Sequence, residues 1–297
     1  MGGDIVQVAI SAAVVLFTGG SVYASMAVAA LTYASIKLAP KPKIPDLEPF
    51  GNLAETDRKQ SFRQAITTRK LVYGKIRVGG PIIFLESTDE GSTKNQFLHM
   101  IVLVASHEIN SFQEYYINGN KILPSQLDGN GNVTDSSTPF HDGTTSFLRI
   151  EKALGTTTQG ANANLISESN GLWTANHKLS GIAYVYLRFR FNRDVYQGIP
   201  QFACVIEGKK VLDTRTGTIA YSRNPSLILR DYMTTSLGMN INSAKIDDTS
   251  ITTAANVCDE DQALADGGTE KRYTADGMID TGVNPRQNIN DILSSMG

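Results

Sequence analysis

The sequence predicts an α+β protein with an apolar helical leader, a β-rich domain and a mixed α/β domain, in that order. Three observations support this fold class. Residues 5–36 contain no charged side chain. From about Leu71 to Ser222 the chain is rich in β-branched and aromatic residues, with the two-residue alternation of strands. After Ser222, asparagine and proline occur at positions that start helices.

These observations divide the 297 residues into four parts, enough for one large core or two modest ones. In order they are the apolar helical leader (1–38), a proline-rich linker (39–66), a β-rich barrel or sandwich (67–222) and the α/β domain (223–297). Gly- and Asn-rich segments predict a looped insertion at about 125–180. The chain would end on an uncovered amphipathic helix, so we expect the polypeptide to continue beyond Gly297.

The leader is the compositional outlier. Its charge-free run is long enough to span a bilayer. Met1-Gly-Gly-Asp4 lacks the basic residues of a secretion signal, and Val6 replaces the Ser or Thr that myristoylation requires. Gly19-Gly20 splits the run into two pieces rich in Ala and Ser, which suit close helix packing in lipid or in protein. The residues leave both environments open.

Several segments predict the strands of the β-rich domain. Runs 71–78 and 82–86 flank Gly79-Gly80 and predict a hairpin with a tight turn. Residues 97–105 form an apolar run that predicts a strand buried on both faces. Asn118-Gly119 predicts a second hairpin turn within residues 115–122. Residues 202–206 and 211–212 predict a further pair around Gly208.

Residues 181–191 give the clearest strand. One face carries Ala183, Val185, Leu187, Phe189 and Phe191, and the other carries Ile182, Tyr184, Tyr186, Arg188 and Arg190. Such a strand packs one face into a core and presents the other to a neighbour or to solvent. Trp173 and the two tyrosines fit an interface or a core equally well.

Three helices are predicted after the strands. Asn224-Pro225 combines an N-cap with proline at the first helical position and predicts a helix over residues 225–235. Asp248 is expected to cap the second helix, whose apolar face carries Ile251, Ala254, Ala255 and Cys258. Asn284-Pro285 starts the third helix, with Ile289, Ile292, Leu293 and Met296 at helical spacing.

Composition and motifs argue against several functions. With 27 basic and 29 acidic residues and no basic cluster, the chain is unsuited to direct nucleic-acid binding. Cys204 and Cys258 lie within apolar patterns and are expected to be buried thiols of a protein folded in a reducing compartment, although the sequence leaves a disulfide open. No nucleophile elbow or phosphate-binding loop is present.

We assign no catalytic, cofactor-binding or metal-binding residue. His107-Glu108 begins like a zinc-protease helix, but Ser111 replaces the second histidine. Asp128-Gly-Asn-Gly-Asn132 begins like a calcium loop, but Val133 and Pro139 replace its glycine and its last ligand, which favours a hairpin loop. The four histidines are scattered: His99, His107, His141 and His177. His99, in an apolar strand, is expected to be a core or interface residue.

Five stretches together resemble one family. They are residues 68–87, Leu98-His-Met-Ile-Val-Leu-Val-Ala-Ser-His-Glu108, residues 173–187, Asp213-Thr-Arg-Thr-Gly-Thr218 and Asn224-Pro-Ser-Leu-Ile-Leu-Arg-Asp-Tyr-Met233, the last followed by segments 255–260 and 267–274. In this order they resemble the hub region of the lambda-type tip attachment (host specificity) protein J family of long-tailed bacteriophages. The resemblance covers residues 68–297, while the leader and the Gly/Asn-rich loops depart from the family.

The resemblance implies a β-rich hub domain followed by an α/β hub domain, in a homotrimer without enzymatic activity or cofactor. Such a hub closes the distal end of the tail tube in the virion's tail tip, after assembly in the host cytoplasm, and opens for DNA ejection. Implied partners are distal tail and tube proteins, the C-terminal end of the tape measure protein, other tail tip proteins and, through domains beyond this chain, a host receptor. Residues 5–36 would contact one another, the tape measure protein or the host membrane.

Two alternatives remain. A membrane-anchored binding module is supported by the leader alone. A tail-associated wall-degrading enzyme would require paired carboxylates or a Cys/His set, and neither is recognisable in the sequence.

Overall fold

The computed structural model describes residues 62–63 and 67–296, which form mostly β-structure with a few helices. The predicted α+β class is confirmed, because several antiparallel sheets are combined with helices. The predicted leader helix and nearly all of the proline-rich linker lie outside the described residues. The division of the chain into domains stays a prediction.

The strands in chain order are β1 (Phe62–Arg63), β2 (Lys70–Tyr73), β3 (Lys75–Val78), β4 (Pro81–Glu90), β5 (Thr93–Ala105), β6 (Ser111–Ile117), β7 (Asn120–Ile122), β8 (Leu148–Ala153), β9 (Ala183–Arg190), β10 (Phe202–Glu207), β11 (Lys210–Asp213), β12 (Thr218–Tyr221), β13 (Asp261–Ala263), β14 (Thr269–Lys271) and β15 (Gly277–Asp280). The α-helices are α1 (Ala163–Glu168), α2 (Pro225–Thr234), α3 (Asp248–Cys258) and α4 (Pro285–Leu293), and single 3-10 turns lie at Pro124–Gln126, Ser243–Lys245 and Ser294–Met296.

Two sheets enclose the main core. The larger has the order β1-β4-β5-β9-β8 and the smaller β3-β10-β6-β7, and every pairing is antiparallel except that of β1 with β4. Apolar side chains of both sheets pack together, among them Met100, Leu187, Tyr115 and Ile206. The strands predicted at 97–105 and 181–191 are confirmed as the adjacent β5 and β9.

The second face of the larger sheet is covered by the chain itself. Ile101 of β5, Tyr184 and Tyr186 of β9, Leu165 of α1 and Trp173 form a separate apolar cluster. The two-sided burial predicted for β5 is therefore confirmed. The tyrosine face of β9, which the sequence assigned to a neighbour or to solvent, packs against the predicted insertion.

The hairpin predicted around Gly79-Gly80 is wrong. The run 71–78 bends at Gly74, whose φ is 66°, and the strands on either side of Gly79-Gly80 join different sheets. Gly80 is required for a different reason, since a Cβ atom there would lie 1.7 Å from the carbonyl oxygen of Leu103. The chain crosses between the sheets at this close approach. The hairpin predicted at Asn118-Gly119 is confirmed, with φ of 50° and 84° and paired flanks β6 and β7.

The pairing predicted around Gly208 is also wrong. β10 pairs with β3 and β6, whereas β11 pairs with β12. The Gly208 N–H donates to the Gly74 carbonyl at 2.8 Å, and a Cβ atom on Gly208 would lie 2.2 Å from the Val72 oxygen. The chain therefore passes beside β2 here and leaves the sheet instead of turning back along it.

A second core involves the three larger helices. It contains Leu71 and Tyr73 of β2, Val211, Leu227, Ile228, Tyr232, Ala255, Ile279 and Ile292. β2 pairs with β15, so the start of the described chain packs against its end. Val72, between Leu71 and Tyr73, belongs instead to the main core. Alternate side chains of one short strand thus enter two different cores.

The helix starts largely follow the prediction. Asn224 accepts the N–H of Ser226 at 3.1 Å, and Asn284 accepts that of Arg286 at 2.9 Å. The second helix is capped by Asp247 and not by Asp248, because the Asp247 carboxylate accepts the Thr249 N–H at 3.0 Å. The Asp248 carboxylate pairs instead with Arg230 at 2.6 Å. On the third helix Ile292 is buried, while Leu293 is exposed.

Candidate functional site

The tyrosine face of β9 carries the main polar network. His99 is fully buried, with Nδ1 2.7 Å from the Tyr186 hydroxyl and Nε2 2.7 Å from the Thr88 hydroxyl. The Tyr186 hydroxyl donates to Glu168 at 3.0 Å, so it accepts from Nδ1–H of His99, and Nε2 accepts from Thr88. His99 is therefore a satisfied core histidine, as the sequence predicts.

The charged end of this network is centred on Glu168, at the end of α1. Arg149 of β8 donates to both of its carboxylate oxygens, at 2.9 and 2.6 Å, and Arg188 of β9 donates at 3.1 Å. Nε of Arg149 lies 2.8 Å from Oε1 of Glu151, but its N–H does not point at that oxygen, so the contact is an ion pair and not a hydrogen bond. Burial raises the pKa of Glu168, but the hydrogen bond and charge of Arg149, with the charge of Arg188, lower it overall. The network links α1 to β8 and β9 of the larger sheet.

Burial lowers the pKa of His99 to about 4, since the apolar surroundings disfavour its charged form. The negative charge of Glu168 raises this pKa, and the positive charges of Arg188 and Arg149 lower it further. His99 Nδ1 lies 3.9 Å from the Glu168 carboxylate, but a histidine with this pKa is neutral at pH 7. His99 therefore orders this core through its hydrogen bonds and stays uncharged near neutral pH.

His107 joins the segment after β5 to β2. Its Nε2 accepts the Val72 N–H at 2.8 Å, and its Nδ1–H donates to the Glu108 carbonyl at 2.8 Å. Burial lowers the pKa of His107 to about 4, the carbonyl of Glu108 opposes this, and the charges of Lys209 and Asp231 have smaller, opposite effects. Both ring nitrogens are occupied by backbone groups, in keeping with the absence of a zinc motif in the sequence.

The two remaining histidines contact residues that are close to them in the sequence. His141 accepts the N–H of Gly143 at 3.0 Å within its own loop. His177 is exposed and stacks on Trp173, with ring centroids 4.7 Å apart. No two of the four histidines share a partner, so the structure does not assemble them into a site.

The Asp128 carboxylate is hydrogen-bonded within its own loop. One Asp128 oxygen accepts the N–H groups of Asn130 and Asn132, both at 2.8 Å, and the other accepts the Asn132 amide at 3.0 Å. Among residues 67–296, no group of three His, Cys, Asp or Glu side chains is arranged to hold a metal. Cys204 and Cys258 are free and buried.

The sequence did not single out Glu168 or Arg149. Arg149 lies in a short strand, and Glu168 lies in a short helix within a segment rich in Gly, Asn and Ser. The sequence signal that could have indicated Glu168 is the basic end of the β9 face, Arg188 and Arg190, because buried cations require an acidic partner. Trp173, Tyr184 and Tyr186 belong to a core, which decides the alternative that the sequence left open.

A further surface feature is an apolar groove of about 640 Å³ beside β5 and β9. Leu98, Phe189 and Tyr196 contribute to its lining. Phe191 and Ile199, which also line it, are 55% and 60% exposed. We call this feature the Phe191 groove. Large exposed apolar side chains beside a preformed concavity are typical of interaction surfaces.

Comparison with known proteins gives little more. No family model matches the chain, and no curated protein matches it. A solved chain from the virion of a native gene transfer agent particle is similar to this chain at 19% identity and a TM-score of 0.36. The match covers 51% of this chain and only 29% of that chain. None of the helices in residues 67–296 is long and apolar enough to cross a membrane.

Proposed function

We propose that the chain is a structural component of a phage-like virion, the trimeric central hub of a long-tailed phage's tail tip, and that it is not an enzyme. The observation that carries the proposal is the order of five stretches that resemble the tip attachment protein J family. The proposed hub closes the tail tube, carries the central fibre and opens when DNA leaves.

The roles of these stretches in the fold support the proposal. Residues 68–87 contain β2, β3 and most of β4, which contribute to both cores. The stretch that ends at Glu108 contains most of β5 and His107, and the one that begins at Trp173 contains the first five residues of β9. The last two contain the β11–β12 turn and most of α2. A resemblance concentrated in framework elements suits a protein that works by shape.

The buried polar groups also favour a structural role. His99 and His107 are neutral and bonded within the chain, and Glu168 is bound by two arginines. A general acid or base needs a pKa near the working pH and access to substrate. His99 and His107 have neither, and the carboxylate of Glu168 is engaged by Arg149 and Arg188, so these groups are suited to rigidity and not to catalysis.

The proposed partners are two further copies of the chain, the distal tail and tube proteins, the tape measure protein and other tip proteins. Residues 5–36 are proposed to be helical and to lie near the threefold axis before ejection. Their uncharged side chains favour burial, at about 25 cal/mol per Å² of apolar surface. The receptor would be contacted by domains beyond this chain.

Cryo-electron microscopy of intact particles tests the proposal. We expect three copies of residues 67–296 around the axis at the distal end of the tail. Six copies, or density for this fold elsewhere in the particle, would contradict it. Peptidoglycan hydrolysis by the purified chain that disappears on substituting one histidine would instead favour the enzyme alternative.

A further inference from the structure

The Phe191 groove has a cation at its edge. Arg193 lines the groove, is exposed and forms no ion pair or hydrogen bond with another residue of 67–296. Asp194, next in the sequence, does not line the groove. An apolar concavity with an uncompensated guanidinium at its edge is suited to an apolar side chain that lies close to a carboxylate.

The β13–β14 hairpin has this chemistry at its tip. Residues 263–272 are all exposed, so the hairpin projects from the fold. Leu264 is 38% exposed, and Asp266 lies two residues further on. The tip is ordered by its own bonds, since the Leu264 N–H donates to the Gly268 carbonyl at 2.8 Å and Asp266 accepts the Gly268 N–H at 3.1 Å.

The charges at the base of the hairpin are already paired. Lys271 contacts Asp261 at 2.8 Å, and Arg272 pairs with Glu260. Asp266 has no cationic partner among the described residues. Glu270 of β14 likewise has no cationic partner among these residues, but Asp266 is the carboxylate at the tip, beside the exposed leucine, where it matches the unpaired cation beside the apolar groove.

We propose that the hairpin tip of one copy docks in the Phe191 groove of a second copy, with Leu264 in the groove and Asp266 paired with Arg193. The two surfaces are different parts of the chain, so the contact is head-to-tail and can close a ring of identical copies. The inference rests on the proposed homotrimer and specifies the contact that holds it together.

The first test is a charge exchange in the full chain, with the mass of the assembly measured against concentration by light scattering. R193E alone and D266R alone each create a like-charge contact and should raise the dissociation constant about tenfold. The double variant R193E/D266R restores an opposite-charge pair and should recover most of the affinity. K178E, at an exposed lysine whose side chain has no partner among residues 67–296, is the matched control and should leave the constant unchanged.

The second test is a cross-link between copies. Chains carrying I199C and chains carrying L264C, distinguished by tags, are mixed and oxidised mildly. We expect a disulfide-linked pair containing one chain of each kind, and no such pair when V283C replaces L264C as the exposed control. The native thiols are buried and should not interfere.

The outcomes separate the contact from the proposed function. A trimer that is insensitive to R193E, D266R and their combination, and that gives no I199C–L264C product, would reject the docking and leave the hub proposal standing. A wild-type chain that stays monomeric at all concentrations would reject both. Recovery by the double variant together with the mixed disulfide would support both.

Discussion

The two faces of β9 achieve burial by different means. The inner face, with Val185, Leu187 and Phe189, packs against the second sheet and contributes only apolar side chains. The outer face carries the buried Tyr186 and the half-buried Arg188, and both contact Glu168 of α1 through a hydrogen bond or an ion pair. Burial on the inner face depends on volume. On the outer face it depends on the hydrogen bonds and ion pairs that join Tyr186, Arg149 and Arg188 to Glu168.

The inner face should give the largest single effect. Leu187 is fully buried, so L187A should lower the free energy of unfolding by ~4 kcal/mol, through lost transfer energy and the cavity that remains. L187M keeps the volume and should cost less than about 1.5 kcal/mol. Urea unfolding followed by circular dichroism measures both. Equal losses for the two variants would mean that volume does not govern this face.

The outer face should respond to the loss of one charge. E168A removes the carboxylate that Arg188 and the 8% exposed Arg149 share, leaves Arg149 with Glu151 alone, and should cost about 3 kcal/mol. E90A removes the partner of Arg190 in an exposed pair and should cost under about 1 kcal/mol. Fluorescence of Trp173, the single tryptophan, reports on unfolding of this face. Similar losses for E168A and E90A would contradict the distinction.

Acid should weaken the outer face through His99. Its pKa is about 4 in the folded chain and about 6.5 when unfolded, so the unfolded chain binds the extra proton between these values. This stability is complete above pH 6.5 and falls as the pH drops towards 4, by up to about 3 kcal/mol. His107, with a similar pKa, adds a comparable loss over the same window.

Comparing H99N with the wild type isolates the contribution of His99. Unfolding free energies measured from pH 7 to pH 4 should fall less steeply for H99N, by up to ~1.4 kcal/mol per pH unit. H107N should reduce the slope in the same way. A pH profile that is unchanged in H99N would show that this histidine does not titrate as its burial implies.

The smallest effect separates two adjacent tyrosines of the outer face. Y186F removes a hydroxyl that bonds to both Glu168 and His99 and should cost about 1–2 kcal/mol. Tyr184 is equally buried, but its hydroxyl makes no hydrogen bond with another described residue, so Y184F should change stability by less than about 0.5 kcal/mol. The two variants are compared by chemical denaturation.

Strand β9 also shows which features of the fold can be predicted from the sequence and which cannot. Alternation along β9 predicted both of its faces, because residue spacing alone decides which side chains share a face. Alternation does not identify what covers a face, and α1 comes from a polar segment whose helical signal is weak. Glu168 was therefore not predicted as a partner, although the arginines at the end of the strand require an acidic one.

The glycines show a second limit of prediction from the sequence. Asn118-Gly119 was predicted correctly because a two-residue turn needs positive φ locally. Gly80 and Gly208 are required by backbone segments distant in the sequence, at Leu103 and Val72. Composition does not distinguish these roles, so both sites were assigned hairpins that the structure lacks.

The register of β2 with β15 has a mechanical consequence. Lys70 is opposite Asp280 and Tyr73 is opposite Gly277, so the chain enters and leaves this ribbon at the same end. A pulling force applied between the residues before Lys70 and those after Asp280 would load the pairs one at a time, beginning with the Lys70–Asp280 ion pair. Antiparallel strands loaded in this geometry unzip at low force, whereas strands pulled from opposite ends resist in shear. Tension applied at residues 67–69 and after Asp280 would therefore separate β2 from β15 before it reached β4 and β5 of the larger sheet.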